Sequence, residues 1–290
     1  MIKLERVEKR LNDFNLQDIS FELPKGYIMG LIGGNGAGKT TLLNLILGLY
    51  QPDHGRLTLF DREYSEDEQL IRNETGSVLA DENLFLPDIS LTQNANLFGR
   101  FYKNYDKDMI FQYLKQFSLD ARKKWKHLSK GEKLKFQFAF ALSHHAKLLV
   151  LDEPAANFDP EFREQFQHII TQFASSGEGS VILSTHQLSE LNRAADYITF
   201  LHQGKLVFST DKETLADKFR IVKGEEYKIN LLKEERIVYK EKNICGVSAL
   251  VRHRKIDSYD NALTVEIPSL EEIMYYLIKS GKPEHFSNTF

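Results

Sequence analysis

The residues Gly33-Gly34-Asn35-Gly36-Ala37-Gly38-Lys39-Thr40-Thr41 combine glycines, one lysine and two hydroxyls in a spacing suited to gripping an anion. Glycines let the backbone turn tightly, so that successive N–H groups converge on one point. In such a loop the Lys39 ammonium reaches the β- and γ-phosphates of a nucleotide, and the Thr40 hydroxyl is a ligand for Mg²⁺. A second candidate is the end of Leu148-Leu149-Val150-Leu151-Asp152-Glu153, an apolar run closing on two acids. Asp152 is placed to hold Mg²⁺, directly or through water, and Glu153, one step beyond, to polarise an attacking water. A third is Ser129-Lys130-Gly131-Glu132, which has the form of a capping box. Ser129 accepts the N–H of position 132 and Glu132 reaches back to position 129. This describes either a well-capped helix or an anion site at a helix N-terminus, and the residues alone leave both open.

These groups need elements to hold them. Tyr27 to Ile32 reads as a buried strand, and the apolar spacing of Leu42, Leu43, Leu45, Ile46, Leu47 and Leu49 as a helix. Strand, glycine loop and helix in that order are the context a phosphate-binding loop requires. Lys147 to Asp152, Ser180 to Thr185 and Tyr197 to Leu201 read as further short buried strands. Strands alternating with helices imply a parallel sheet, whose carboxyl edge faces the ligand crevice. Residues 1–30 alternate apolar and polar, as in Ile19 to Leu23, and predict antiparallel strands. Leu57 to Phe60 reads as another strand after a turn at Gln51 to Gly55. Residues 91–146 are expected to be mostly helical, with Thr92 as an N-cap. From about Asp211 charge density rises and β-like runs appear at Tyr227 to Leu232, Val247 to Val251 and Leu263 to Ile267. Ser269 and Glu272 predict a capping box for a closing helix. The expected division is 1–210, with a helical part at about 81–146, and a small α/β appendage at 211–290.

The chain of 290 residues is long enough to bury a core without staples, and Cys245 is its sole cysteine, so no disulfide forms within it. A net charge of −3 argues against a nucleic-acid protein relying on overall basicity. No apolar run approaches the length of a bilayer span, and the N-terminus lacks a signal-peptide core. A cytoplasmic protein is expected. The run Arg122, Lys123, Lys124, Lys126, Lys130, Lys133, Lys135 is read as a solvated face; an anionic membrane leaflet or attraction of nucleotide are its other uses.

The three motifs, in this order, resemble an ABC-type ATPase, a P-loop NTPase. Gly33 to Thr41 matches the family's Walker A loop, Leu148 to Glu153 its Walker B strand, and Leu128-Ser129-Lys130-Gly131-Glu132 resembles its L-S-G-G-Q signature. Asn157-Phe158-Asp159 sits where the D-loop is found, and His186, after Ser184-Thr185, where the switch histidine is found. The likeness covers about residues 1–210. The ending Pro268 to Met274 resembles the extension of ATPases from ABC-2-type exporters, and among these the subunits that export antimicrobial or toxic peptides from Gram-positive bacteria, phenol-soluble-modulin exporters included. The resemblance implies an α/β P-loop core with an antiparallel β subdomain, a helical subdomain and a C-terminal extension. It implies ATP and Mg²⁺ as cofactors, and as partners a transmembrane permease subunit and a second ATPase subunit, homo- or heterodimeric. It places the protein on the inner face of the membrane. It further implies that Ser129, Gly131 and Asp159 contact the nucleotide of the opposed subunit, and that His186 holds the γ-phosphate and attacking water.

The match departs from the family at three places. Lys130 and Glu132 replace Gly and Gln in the signature; a carboxylate there would repel phosphate, so Glu132 is expected to turn back onto its own helix cap. The Q-loop glutamine is missing, and Ala80 or Asp81 takes its place, Asp81 as a water-bridged Mg²⁺ ligand. The adenine-stacking aromatic is expected to be Phe14, since Leu11 follows Lys9-Arg10. Two other functions compete: a soluble ABC-type protein acting on ribosomes or DNA, and a module that closes on ATP with little turnover. The first usually carries two cassettes or long coiled coils, which this chain lacks. The second is kept open by the altered signature and the missing glutamine. No Asn-Lys-x-Asp supports guanine specificity.

Overall fold

Among the described residues, three strands lie wholly in the interior. They are rich in Ile, Leu and Val, as expected for strands buried on both faces. The computed structural model describes residues 1–79, 84–186, 188–244, 246–254 and 257–281. In chain order the elements are β1 (Ile2–Leu11), β2 (Phe14–Leu23), β3 (Ile28–Ile32), α1 (Lys39–Ile46), β4 (His54–Leu59), α2 (Tyr64–Glu74), β5 (Thr75–Val78), α3 (Leu91–Gly99), α4 (Lys107–Gln116) and α5 (Lys130–Ser143). There follow β6 (Leu148–Asp152), α6 (Pro160–Ser175), β7 (Ser180–Ser184), α7 (Leu188–Ala194), β8 (Tyr197–His202), β9 (Lys205–Asp211), α8 (Lys212–Lys218), β10 (Phe219–Gly224), α9 (Glu226–Ile229), β11 (Ile237–Asn243), β12 (Gly246–Arg252), β13 (Thr264–Glu266) and α10 (Leu270–Ser280). The interior strands are β3, β6 and β7, every residue of which is buried.

The main sheet runs β4-β1-β2-β9-β8-β3-β7-β6-β5. The hairpin β1–β2 and strand β4 are antiparallel, while β3, β5, β6, β7 and β8 are parallel. Because β3, β6 and β7 are neighbours and point the same way, the loops leaving their carboxyl ends meet at one edge. Among the described residues no helix is long and apolar enough to cross a membrane.

A smaller antiparallel sheet, β11-β12-β10-β13, follows. Its inner side and the apolar face of α10 join the same core as β8 and β9: Ile221, Leu250, Ile273 and Leu277 cluster with Phe200, Val207 and Phe208. The capping box at Ser269 and Glu272 is formed, and α10 stops at Gly281 in a left-handed turn.

Several sequence expectations need correction. The N-cap of α3 is Ser90, not Thr92: Ser90 Oγ accepts from the Gln93 amide at 3.2 Å and Gln93 Oε1 accepts from the Ser90 amide at 2.9 Å. Thr92 lies inside the first turn and donates to the Ala121 carbonyl at 3.0 Å. The run Tyr227 to Leu232 is not a strand. It begins in the short helix α9, where Ile229 is buried while Tyr227, and Leu231 just beyond the helix, face solvent. So short an apolar run fits either period, and packing of one residue decided it.

His144 is buried, with only 1% of it exposed. It closes α5 with its ring stacked on Tyr102, centroids 4.1 Å apart, and Nδ1 lies 3.3 Å from the Asn73 carbonyl. Burial pushes its pKa down to about 4 from an ordinary 6.5. The unfolded chain therefore takes up this proton first. The stability tied to the neutral ring is complete above about pH 6.5 and is lost as pH falls toward 4. The full loss is of the order of 3 kcal/mol. His144→Phe is expected to flatten the fall in urea midpoint between pH 7 and pH 5, measured against the parent chain; an unchanged acid limb would contradict this.

Candidate functional site: a phosphate loop facing two strand-end acids

Helix α1 starts without a side-chain cap and without an acid in its first turn. Its N-cap is Gly38, at φ +106°, where a Cβ would lie 2.7 Å from Phe14 Cζ and 2.8 Å from Leu16 Cδ2. Only glycine fits both the left-handed backbone and that approach. The first-turn amides of α1 are thus left to an external acceptor, on the positive end of the helix dipole. Lys39 is 9% exposed, and its Nζ donates to the Gly33 carbonyl at 2.8 Å and the Gly34 carbonyl at 3.3 Å. The ammonium therefore already lies along the inner side of the loop.

The two strand-end acids sit across from it. Thr40 Oγ1 donates to Asp152 Oδ2 at 2.8 Å, and Ser184 Oγ donates to Asp152 Oδ1. Glu153 turns sharply away from β6 at φ +47°, unusual for a residue other than glycine. Its Oε2 lies 2.7 Å from His186 Nδ1. A cleft of about 450 Å³ is lined by Leu11, Phe14, the loop from Asn35 to Thr41, Asp152 and Glu153. Phe14, reaching over from the start of β2, forms its wall, as does Leu11, which the sequence reading passed over.

A hydroxyl and a carboxylate side by side are hard oxygen donors suited to Mg²⁺, which is commonly held by one or two carboxylates plus substrate phosphates. Among the described residues no group of three or more His, Cys, Asp or Glu side chains gathers to cage a metal alone. Thr40 and Asp152 thus fit a cation that arrives with phosphates. Asp81 and Ala80, the candidates for the missing glutamine, lie outside the described residues. Next to them, the buried Gln137 of α5 accepts the Leu79 amide at 2.7 Å. A lone amide between Phe136 and Phe138 was the available signal for it.

The signature segment stands elsewhere on the molecule; Ser129, Gly131 and Asp159 do not line the cleft. Ser129 caps α5, and Glu132 turns back: Oε2 accepts the Ser129 amide at 2.8 Å. Lys123 Nζ reaches both Glu132 oxygens, at 2.8 and 2.9 Å. Burial acts to raise the Glu132 pKa, but Lys123 and the Ser129 amide outweigh it and hold the carboxyl below its usual range. Gly131 has a reason within its own chain, since a Cβ there would lie 2.6 Å from the Asn157 carbonyl. Asp159, expected among the nucleotide contacts, is the N-cap of α6. Its Oδ1 accepts from the Phe162 amide at 2.8 Å and its Oδ2 from Lys135 Nζ at 3.0 Å. Both oxygens are engaged in holding the D-loop to α5 and α6. In the basic run, Lys126 meets Asp88 at 2.6 Å and Arg122 lies 3.8 Å from Asp120, so that with Lys123 and Lys135 much of it is paired.

Loop, helix and strand-end acids define a P-loop nucleotide-binding protein. Comparison with known proteins narrows this. The family model described as ABC transporter matches residues 16–156. The chain is 30% identical over 223 residues to Nod factor export ATP-binding protein I of Cupriavidus pinatubonensis, covering 75% of this chain and 68% of that one. It is 29% identical over 210 residues to the bacitracin transport ATP-binding protein BcrA of Enterococcus faecalis, covering 71% and 68%. A solved structure of the ATP-binding subunit of an ABC transporter superposes with a TM-score of 0.69 at 23% identity, over 74% of this chain and 91% of that one, which speaks to the fold. The chain belongs to the ABC transporter family, among its ATP-binding subunits, and is an ABC-type ATPase.

Proposed function

We propose that this ATPase binds MgATP between itself and a second ATPase subunit, and that closure of the pair drives a separate membrane permease in exporting peptides. The observation that supports it is the continuous chain of contacts from Thr40 through Asp152 and Ser184 to Glu153 and His186 at the mouth of the loop. In this reading Lys39 exchanges the Gly33 and Gly34 carbonyls for the β- and γ-phosphates, and the loop amides from Gly33 to Thr41 cradle the rest. Phe14 flanks the base. Bound Mg²⁺, held by Thr40 and Asp152 with Asp81 as a further candidate, supplies neutralisation of phosphate charge. Glu153 accepts the proton of the attacking water, and His186 orients that carboxylate. Ser129 and Gly131 cover the γ-phosphate of the opposed subunit.

Residues 1–210 act as the cassette and 211–290 as an appended unit. A groove of about 260 Å³ beside the helical region, lined by Arg72, Leu84, Phe85, Phe98, Phe101 and Tyr102, offers the permease a docking surface. Phe101 is 75% exposed there, as an anchor for a partner would be. The pair works on the inner face of the membrane. Peptide cargo is favoured because a relative is named for bacitracin transport. Inside-out vesicles carrying the ATPase and a co-purified permease are expected to accumulate a membrane-active peptide only when ATP is added outside. Accumulation indifferent to ATP, or none with an active ATPase, would overturn the cargo assignment.

A further inference from the structure

Ser184 is fully buried at the carboxyl end of β7, directly opposite Asp152 in the parallel register of β6 and β7. Sequence reasoning passed over it, because it precedes the histidine by two residues and has an ordinary strand residue's place. Its hydroxyl hydrogen, hydroxyl oxygen and carbonyl oxygen are all directed at the two acids. Oγ–H donates to Asp152 Oδ1. The same Oγ accepts the Glu153 amide at 3.0 Å, and the Ser184 carbonyl accepts that amide at 3.2 Å. One side chain thus grips the carboxylate of Asp152 and the backbone of Glu153 together.

The grip has two consequences. With Oδ1 tied to Ser184 and Oδ2 accepting from Thr40, the Asp152 carboxylate is fixed in plane and rotation. A left-handed backbone at a residue with a side chain is disfavoured and persists only where surroundings hold it. At Glu153, with φ +47°, the hold comes from the amide bonded at Ser184. That turn is what brings Oε2 to 2.7 Å from His186 Nδ1. An aliphatic residue at 184 would leave Asp152 Oδ1 without this donor in a buried setting and would loosen the hold on Glu153, whose amide would keep only the bond to the backbone carbonyl of 184.

We infer that Ser184 is a positioning residue that presets both strand-end acids, fixing Asp152 toward Thr40 and holding Glu153 in the turn that faces His186. This rests on the nucleotide reading above. Groups of this outer kind change metal affinity or activity by about 10–100-fold when removed.

Three variants separate hydrogen bonding from packing. Ser184→Ala removes the hydroxyl, Ser184→Cys keeps the volume with a weak donor and acceptor, and Ser184→Thr keeps the hydroxyl. The readouts are thermal melting, ATP affinity in EDTA, Mn²⁺ affinity in the presence of a non-hydrolysable ATP analogue, and phosphate release split into kcat and KM. Ser184→Ala and Ser184→Cys are expected to melt near the parent, to bind ATP in EDTA within about twofold of it, and to lose about tenfold or more in Mn²⁺ affinity and kcat. Ser184→Thr is expected to recover both, with KM for ATP changed little throughout. Full Mn²⁺ affinity and kcat in Ser184→Ala, or a cysteine variant as good as serine, would overturn the positioning role while leaving the nucleotide reading intact. A parent protein that binds no Mn²⁺–nucleotide at all would overturn both.

Discussion

Glu153→Gln is expected to bind ATP as the parent does and to release phosphate about 10²–10⁴-fold more slowly. The substitution keeps length and planarity, so the backbone turn at φ +47° and the amide bond to Ser184 are preserved. What it removes is the ability to take a proton. His186, 2.7 Å from the carboxylate, can still hydrogen-bond to the amide, so the site keeps its shape while losing its base. Without turnover the closed pair should persist, and sedimentation of the variant with MgATP should show a heavier species absent without nucleotide. Turnover within about threefold of the parent would remove Glu153 from the role, because a base that contributes so little is outside the range for proton transfer.

Lys39→Ala attacks binding rather than chemistry. The ammonium is buried within the loop against the Gly33 and Gly34 carbonyls, and in the proposed complex it meets phosphate in a shielded cleft. A hydrogen bond to a charged group is worth about 1.5–3 kcal/mol, so ATP affinity should fall by about 10–200-fold, with kcat/KM falling at least as far. Lys39→Arg is not expected to rescue it. The guanidinium is broader, and the space beside Gly33 is closed on one side by the chain itself. Fluorescent-nucleotide titration checks both variants. Unchanged affinity and turnover in Lys39→Ala would mean that nucleotide binds elsewhere.

The parts of this account legible in sequence are those set by short-range rules. The glycine loop announced itself through residue types that few other structures require, and β3, β6 and β7 through apolar runs too short for helices. The Ser129 and Ser269 capping boxes follow from residues three apart. The α3 cap is equally local, since Ser90 and Gln93 have the same spacing; Thr92 competes with it because a hydroxyl near the start of an apolar spacing reads as a cap wherever it falls. What escaped depends on partners distant in sequence. Ser184 gains its meaning only when β7 lies against β6, and His144 only when α5 packs over Asn73 and Tyr102. Asp159, which the resemblance assigns to the nucleotide, also accepts from Lys135, which no local pattern links to it. Gly131 was read for an anion and also serves the approach of the Asn157 carbonyl.

The central claim is that the loop from Gly33 to Thr41 grips a magnesium-bound triphosphate. Equilibrium titration of purified protein with labelled ATP, with Mg²⁺ and with EDTA, tests it most directly. The account predicts saturable binding of one nucleotide per chain, strengthened by Mg²⁺ and abolished or strongly weakened in Lys39→Ala. Folded protein that shows no saturable binding under either condition would contradict it.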